Sequence, residues 1–199
     1  MRFVSAPATE PSDEFLIASL RDGDPKAGQK LVERHHEALF RYLYRTVGSS
    51  FQAEELLQQT WLSVLEHLDQ FRPNTDSGAA TPKFAFKAWL FRIATNKAHD
   101  FWRSKGRERN AYEGLSLVKD DVGPDASVGL TGSEEQAKLR RAIEQLPEAQ
   151  RQVVTMRYFG GMKFVEIAET LGCPLNTALG RMHKAMIRLK KLMEEAPST

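Results

Sequence analysis

The sequence predicts an all-α protein of two small helical domains joined by a flexible acidic linker. Apolar residues recur at three- and four-residue spacing in several separate segments, as the buried faces of helices require. No segment alternates apolar and polar residues as a half-buried strand would. The 199 residues, of which 41% are hydrophobic and 27% charged, suffice for two folded domains and exclude wholesale disorder.

Start and stop signals divide the first half of the chain into a tail and three helices. Residues 1–12 contain two prolines and no apolar periodicity, so we expect a flexible tail. Asp24-Pro25 begins a helix that Gly48 ends, and a second helix follows over about 51–70. A loop containing prolines and glycine then leads to a third helix that begins near residue 84. We place the first domain at 13–105.

The second half begins with an acidic segment. Residues 111–135 hold six acidic residues and one lysine among several glycines, which predicts a linker over 106–132 and a second domain over 133–199. In this domain one helix ends before Pro147, a short one ends at Gly160-Gly161, and another ends at Gly172. The final helix runs to about residue 195. The last two helices, separated by a tight turn, have the spacing of a helix-turn-helix.

Several classes of protein are excluded by what the sequence lacks. No apolar run is long enough to span a membrane and the start has no secretory core, so we expect a cytoplasmic protein without direct membrane insertion. Cys173 is the single cysteine, which excludes an internal disulfide and cysteine-based zinc motifs. No catalytic motif occurs. We therefore expect a binding protein and not an enzyme, with no cofactor, metal or small-molecule substrate.

The final helix separates cationic and apolar residues. Its cationic face carries Thr177, Arg181, Lys184, Arg188 and Lys191, and the opposite face carries Leu175, Ala178, Met182, Met186, Leu189 and Met193. The first turn of such a helix reads base edges, so Asn176, Thr177 and Arg181 are candidate readers. Lys184 and Arg188 would bind phosphates. The alternative is a solvated cationic face on a bundle helix.

The third helix of the first domain repeats this pattern. Its polar face presents Arg92, Asn96, His99, Arg103 and Arg107, with Trp89 beside them. An indole among arginines suits single-stranded nucleic acid, because bases stack on the ring while the cations bind the backbone. The alternative is that Trp89 packs against the 51–70 helix. His99 fits a hydrogen-bonding surface residue better than a catalyst.

The second helix of the first domain has a different polar face. Glu54, Glu55, Gln58 and Gln59 lie beside an apolar stripe, with almost no cationic charge. This composition suits a protein partner better than DNA, and the alternative is an ordinary solvated face.

Three segments in the same order carry a resemblance to a known family. AEELLQQTWLSVL is similar to the motif AEDLVQETFLRVW, and FKAWLFRIATNKAHDFWRSKGR is similar to WLYRIARNxxxDxxRRxxR. LPEAQRQVVTMRYFGGMKFVEIAETLGCPLNTALGRMHKAMIRLKK is similar to LPxxxRxVxxLRYxEGLSxxEIAExLGxPxGTVKSRLxRAxxxLR. The chain thus resembles a bacterial RNA polymerase sigma factor of the extracytoplasmic-function (ECF, group IV) subfamily, over about residues 15–105 and 133–195.

The resemblance implies a division of labour between two domains. The first would bind the clamp helices of core RNA polymerase and capture the melted minus-ten promoter element as single strand. The second would bind the duplex minus-thirty-five element. The implied polymerase contacts are Glu54, Glu55, Leu56, Gln58 and Gln59, and the implied melting residues are Trp89, Arg92, Asn96, Asp100 and Arg103. A loop within 72–83 would hold a flipped base, and an anti-sigma factor is a further partner that the resemblance suggests.

Several departures from the family pattern affect the candidate contacts. Gln59 replaces a carboxylate, whose contact Glu54 or Glu55 could rebuild, and Leu179 and Gly180 replace a lysine and a serine. Asn176 could compensate in the recognition helix, because asparagine can bind an adenine edge with two hydrogen bonds. Two other hypotheses stay open: a stand-alone helix-turn-helix regulator that does not bind the polymerase clamp, and a nucleic-acid enzyme, which would need a metal-binding acid cluster.

Overall fold

The computed structural model describes residues 10–72, 85–113 and 134–195. Within these ranges the chain is helical and contains no strand, which confirms the all-α prediction. The helices are α1 (Asp13–Arg21), α2 (Pro25–Val47), α3 (Ser50–Glu66), α4 (Phe86–Glu113), α5 (Glu134–Glu144), α6 (Glu148–Tyr158), α7 (Phe164–Thr170) and α8 (Leu175–Glu195), and a single 3₁₀ turn (Leu68–Gln70) follows α3.

Both ends of α2 follow the predicted capping chemistry. The Asp24 carboxylate accepts a hydrogen bond from the Lys26 amide at 3.0 Å, and Pro25 occupies the first turn of α2. Gly48 ends this helix with φ of +79°, a left-handed conformation that costs glycine nothing. The α2–α3 corner is therefore encoded locally.

Helix α1 is an element that the sequence patterns did not predict. The Ser12 hydroxyl caps it by accepting from the Phe15 amide at 3.2 Å. Asp13 then binds α2 through Arg34 Nη1 at 2.6 Å and His35 Nε2 at 2.8 Å. Burial alone would raise the pKa of Asp13, but the hydrogen bonds and charges of His35 and Arg34 outweigh it and lower that pKa. Residues 1–9 of the expected tail lie outside the described residues.

The core of the first domain lies between α2, α3 and α4. Leu39, Leu43 and Phe91 are fully buried there. Tyr42 is also buried, with its hydroxyl 2.8 Å from the Thr95 hydroxyl. Because Thr95 donates to the Phe91 carbonyl at 2.7 Å, Tyr42 is the donor of this pair. Burial raises the pKa of Tyr42 to about 12.

The core of the second domain lies between α6, α7 and α8, with α5 packed against α8. Val153, Met156 and Met162 are buried from the α6 side, Ile167 comes from α7, and Ala178 comes from α8. This arrangement holds α7 and α8 at a fixed angle to each other and leaves one side of α8 uncovered.

The two domains pack directly on each other. Helix α4 contacts α7, α2 contacts α6, and the buried hydrophobic residues of both domains form one continuous cluster. Helix α4 also continues to Glu113, past the predicted start of the linker at 106. The remainder of that predicted linker lies outside the described residues.

Candidate nucleic-acid and protein interfaces

Helices α7 and α8 form a helix-turn-helix. Gly172 lies in the turn with φ of +60°, and the Cys173 amide donates to the Ala168 carbonyl at 3.0 Å. Pro174 precedes α8, and its carbonyl accepts from the Thr177 amide at 2.9 Å. The turn thus directs the first residues of α8 away from the domain core, as a recognition helix requires.

The packing face of α8 differs in part from the predicted one. Ala178, Met182, Ala185 and Leu189 are buried as a stripe at three- and four-residue spacing. Leu175 and Met186 were expected on this face, but they are 42% and 44% exposed. That part of the prediction was wrong because the buried stripe is centred on Ala178 and Ala185, so Leu175 and Met186 lie at one edge of the packing face.

The five predicted DNA contacts of α8 differ in exposure. Asn176, Lys184 and Arg188 are exposed, and Thr177 is half-buried. Arg181 is also half-buried, with its Nη1 3.8 Å from the Cys173 sulfur, so it lies along the turn rather than at the outermost line of the helix.

Three further exposed residues of α8 lie outside the predicted cationic face. Leu179, His183 and Ile187 lie on the side away from the buried stripe and are all exposed. Gly180 lies among them, and a Cβ built there would meet nothing within 4 Å. The outward surface therefore combines Asn176, Lys184 and Arg188 with apolar side chains. Ala178 and Ala185 lie on the buried side of the helix, and their spacing was the signal that could have revealed this outward surface.

Helix α4 presents a cationic face made of Arg92, Asn96, Arg103 and Arg107, all exposed. Asp100 lies on the same side, and one of its oxygens is 3.7 Å from Arg103 Nη1. These residues share one side because their spacing matches the helical repeat. Four of the six predicted minus-ten contacts are thus available together.

The other two predicted contacts have protein partners. His99 faces the second domain, where its Nε2 lies 2.9 Å from Gln152 Nε2 and 3.1 Å from Glu148 Oε1. Trp89 is partly buried, with its ring centroid 5.2 Å from that of Phe71 and 6.0 Å from that of Phe86. The ring therefore packs on Phe71, which directly follows the 51–70 segment named in the alternative, and on Phe86 of its own helix.

The loop expected to hold a flipped base starts at the end of this aromatic cluster. Arg72, the first residue of the range 72–83, binds the Asp69 carbonyl through Nη1. The rest of that range lies outside the described residues.

Helix α3 presents a polar face flanked by apolar side chains. Glu54, Glu55, Gln58 and Gln59 are exposed, and Gln59 Nε2 donates to Glu55 Oε1 at 3.1 Å. Leu56, also a predicted polymerase contact, is only 5% exposed and belongs to the core. Its position on the helix turns it toward the domain interior and away from the outer surface.

The apolar flank of α3 was not predicted from the sequence. Phe51, Leu62 and Leu65 are exposed by 75%, 60% and 56%, and their spacing places them on the same side as Glu55 and Gln58. We call these five residues the α3 stripe. A groove of about 280 Å³ runs beside it between α3 and α4, lined by Glu55, Leu56, Gln59, Lys97, Asp100, Phe101 and Ser104. An uncovered apolar stripe with a polar centre is typical of a protein-binding surface.

Two other kinds of site do not occur in the described residues. Across residues 10–72, 85–113 and 134–195, no group of three or more histidine, cysteine, aspartate or glutamate side chains is placed to hold a metal ion. In the same part of the chain no helix has both the length and the apolar character to cross a membrane.

A helix-turn-helix with an open recognition surface, a second helical domain with a cationic face, and a separate exposed apolar stripe are typical of a DNA-binding transcription protein. Comparison with protein-family models matches residues 31–108 to Sigma-70 region 2 and residues 136–189 to Sigma-70, region 4. The chain is 30% identical over 205 residues to the ECF RNA polymerase sigma factor SigE of Mycolicibacterium smegmatis, covering 99% of this chain and 75% of the relative. It belongs to the ECF RNA polymerase sigma factors, as the sequence resemblance indicated.

Further relatives agree over nearly the whole chain. The RNA polymerase sigma-H factor of Pseudomonas aeruginosa is 26% identical over 196 residues, covering 94% of this chain and 96% of the relative. Among solved structures, CnrH in complex with the cytosolic domain of CnrY has a TM-score of 0.68 at 24% identity, covering 94% of this chain and 100% of CnrH. The sigma factor RpoE in complex with the anti-sigma factor NepR from Bartonella quintana has a TM-score of 0.64 at 23% identity, covering 86% and 99%. These two structures share the fold of this chain.

Proposed function

We infer that the chain binds core RNA polymerase and directs promoter recognition, DNA melting and the initiation of transcription. The observation that carries this function is the presence of Sigma-70 region 2 and region 4 in one chain, in that order. The residue assignments that follow are proposals from the exposure and charge of three surfaces.

The α3 stripe is our proposed contact with the polymerase. Its apolar members supply area to bury, and Glu55 and Gln58 supply polar groups that would orient the partner. The stripe holds no cation, and DNA phosphates would repel the carboxylates of Glu55 and the neighbouring Glu54, which assigns this surface to protein. Gln59 contributes through its hydrogen bond to Glu55, which fixes that carboxylate.

The cationic face of α4 is our proposed contact with the melted minus-ten strand. Arg92, Arg103 and Arg107 would bind the backbone, and Asn96 would bind a base edge. Trp89 would form the wall of the site beside Phe71, where a partly exposed ring edge can still contact a base. His99 would become available only if it separated from Glu148 and Gln152.

The outer surface of α8 is our proposed contact with the duplex minus-thirty-five element. Asn176 lies in the first turn, where a recognition helix reads base edges, and Lys184 and Arg188 lie farther along, where they reach phosphates. Thr177 and Arg181 border this surface at the turn. Leu179 replaces polar reading with apolar contact, which suits a thymine methyl group.

The proposed function also includes a regulatory partner, a site of action and a mode of action. An anti-sigma factor would be a regulatory partner, by analogy with RpoE from Bartonella quintana, whose solved structure is a complex with the anti-sigma factor NepR. The site of action would be the cytoplasm, where polymerase and DNA meet. The chain would act by binding and have no catalytic activity of its own.

The deciding experiment is capture of purified core RNA polymerase by the full chain, followed by sequencing of run-off transcripts from a pool of genomic DNA. We expect stoichiometric capture and transcripts that start at defined sites. Failure to bind polymerase, together with tight binding of duplex DNA by the chain alone, would favour the stand-alone regulator.

Paired variants test the division of labour. Glu55→Lys should weaken polymerase capture and leave duplex binding intact, whereas Asn176→Ala or Arg181→Ala should weaken recognition of the upstream element and leave capture intact. Glu33→Lys on α2 is the matched control for charge reversal, because Glu33 is exposed and contacts Gln29 of its own helix. Damage by both classes of variant at the same step would contradict the assignment.

A further inference from the structure

The side of α8 that points directly away from the domain core carries no lysine or arginine. The stripe that packs on the core is made of Ala178, Met182, Ala185 and Leu189. A step of two residues turns about 200° around a helix, so the residues two positions before these point almost directly outward. These four residues, which we call the outward line, are all exposed: Asn176, Gly180, His183 and Ile187.

The cations of α8 lie on one flank of the outward line. Arg181, Lys184 and Arg188 each follow a member of the line by one residue, which is about 100° around the helix. The other flank, one residue before members of the line, is apolar and exposed at Leu175, Leu179 and Met186. In a major groove the cationic flank would bind the phosphates of one wall, and the outward line would then face the base edges on the groove floor.

Two members of the outward line have hydrogen-bonding side chains that no other side chain occupies. Within the described part of the chain, the side chains of Asn176 and His183 form no hydrogen bond and no ion pair. By contrast, His35 contacts Asp13 and His99 contacts Glu148. A neutral imidazole offers one N–H donor and one acceptor. His183 was not a candidate contact from the sequence, and its place opposite the buried stripe is what indicates a contact.

The spacing of these two side chains matches the spacing of base pairs. Asn176 and His183 are seven residues apart, which is a rise of about 10 Å along α8. That distance equals about three base-pair steps of about 3.4 Å each. Gly180 lies between them, and a Cβ there would meet nothing within 4 Å. A base pair can therefore approach the helix backbone at Gly180 without meeting a side chain.

We propose that His183 is a second base-reading residue of α8, which selects a purine about three base pairs from the base that Asn176 reads, with Gly180 facing the pairs between them. The N7 atom of either purine is an acceptor in the major groove, and the His183 N–H donates to it. Lys184 and Arg188 position the helix through phosphates and select no base. This inference rests on the proposed function, because it assumes that α8 binds the upstream element as duplex.

The test is promoter selection by the full chain with core polymerase, in which the upstream element is randomised and the run-off transcripts are sequenced. His183→Ala should lower the preference for a purine about tenfold at one position and leave the other positions unchanged. Asn176→Ala should lower the preference for adenine at a second position, about three base pairs away. His183→Arg should narrow the purine preference to guanine, because arginine binds guanine O6 and N7 together.

Two control variants separate base reading from general DNA affinity. Lys184→Gln removes a phosphate contact, so transcription should fall alike on all sequences and the selected profile should not change. Its slope of log affinity against log salt should be shallower by about 1. His36→Ala, at an exposed position on α2, is the matched control for loss of an imidazole and should match the wild type. Circular dichroism establishes that each variant is folded.

The outcomes separate the reading by His183 from the proposed function. An unchanged profile for His183→Ala, or an equal loss at every position, would overturn base reading by this residue. Affected positions that adjoin each other would overturn the spacing, because the helix rise sets their separation. If no version of the chain supports transcription, the proposed function fails. Selection of randomised duplex by the full chain alone, with the same variants, then decides whether His183 reads a base.

Discussion

Gly180 lies inside α8 and weakens the helix without serving the packing of the domain. A Cβ at this position meets nothing within 4 Å. Glycine in a helix interior costs about 1 kcal/mol relative to alanine, so Gly180→Ala should raise the free energy of unfolding by about that amount. Denaturant unfolding followed by circular dichroism measures it.

The matched control for this prediction is Gly28 of α2. A Cβ at Gly28 would lie 3.1 Å from Leu20 Cδ1, so Gly28→Ala gains helix propensity but crowds α1. We expect a smaller gain or a loss there. Equal gains at both positions would mean that the crowding at Leu20 is without cost, and no gain at Gly180 would contradict the prediction.

Tyr42 gives the fold a sensitivity to alkaline pH. Its folded pKa of about 12 lies above the ordinary value of 10.0, so between these values the unfolded chain loses the phenolic proton before the folded chain does. The contribution of Tyr42 is thus fully present below about pH 10 and is lost as pH rises toward 12, by up to about 1.4 kcal/mol per pH unit.

Two variants distinguish the effect of the phenolic proton of Tyr42 from that of its hydrogen bond to Thr95. Tyr42→Phe should be less stable than the wild type at neutral pH, and that deficit should shrink from pH 10 to 12 in denaturant titrations. Thr95→Val removes the hydrogen-bond partner but keeps the buried phenol, so it should retain the alkaline loss. A constant difference between Tyr42→Phe and the wild type over this pH range would refute the account.

At the scale of the helices, substitutions on the exposed side of α3 should weaken polymerase binding and leave the stability of the fold almost unchanged. Leu62 and Leu65 are mostly exposed, so replacing both by glutamine, a good helix former, should change the free energy of unfolding by less than about 0.5 kcal/mol. Affinity for core polymerase should fall about tenfold or more, because apolar anchors dominate protein interfaces. Titration calorimetry or capture assays measure the loss.

Leu139 of α5 provides the control, since it is 42% exposed and lies outside the α3 stripe. Leu139→Gln should leave polymerase affinity unchanged. Normal affinity in the doubly substituted α3 variant would remove the apolar flank from the proposed interface and leave only Glu55 and Gln58.

The helices were predictable from sequence to the extent that their signals are local. Asp24-Pro25 and Gly48 define α2 because capping depends on neighbouring residues. Helix α1 was missed because its stability comes from Asp13 contacting Arg34 and His35, which are distant in sequence. The packing face of α8 was predicted in part: Ala178, Met182 and Leu189 are buried as expected, and Ala185, a small residue that a hydrophobicity pattern underrates, completes the stripe.

The kind of each candidate interface could be predicted from the sequence, but not every residue that belongs to it. Charge and spacing identified the cationic face of α4, and Arg92, Asn96, Arg103 and Arg107 do share an exposed side. The same pattern could not reveal that His99 faces Glu148, because that contact joins two domains. The exposure of Leu62 and Leu65 in α3 could not be predicted, because a sequence pattern treats every leucine as a core candidate.

At the scale of the whole molecule, one hydrophobic cluster crosses both domains, and this should make unfolding cooperative. Phe91 of α4 and Met162 of the second domain are buried in the closed chain, so unfolding of either domain would expose the other's packed surface. Scanning calorimetry of the wild type should therefore show one transition, with equal calorimetric and van't Hoff enthalpies. Lys87 Nζ of α4 donates to the Gly161 carbonyl at 2.8 Å, and Thr170 Oγ1 of α7 lies 3.2 Å from the Ala88 carbonyl, so both residues join the two domains. The combined Lys87→Glu and Thr170→Val variant should weaken this interface and show two transitions, one for each domain. Thr170→Val alone should keep one transition and lower Tm by about 2–4 °C for each kcal/mol lost from the interface. Lys30→Glu, at an exposed position on α2, is the matched control for charge reversal and should match the wild type. Two well-resolved transitions in the wild type would mean that the shared cluster does not couple the domains.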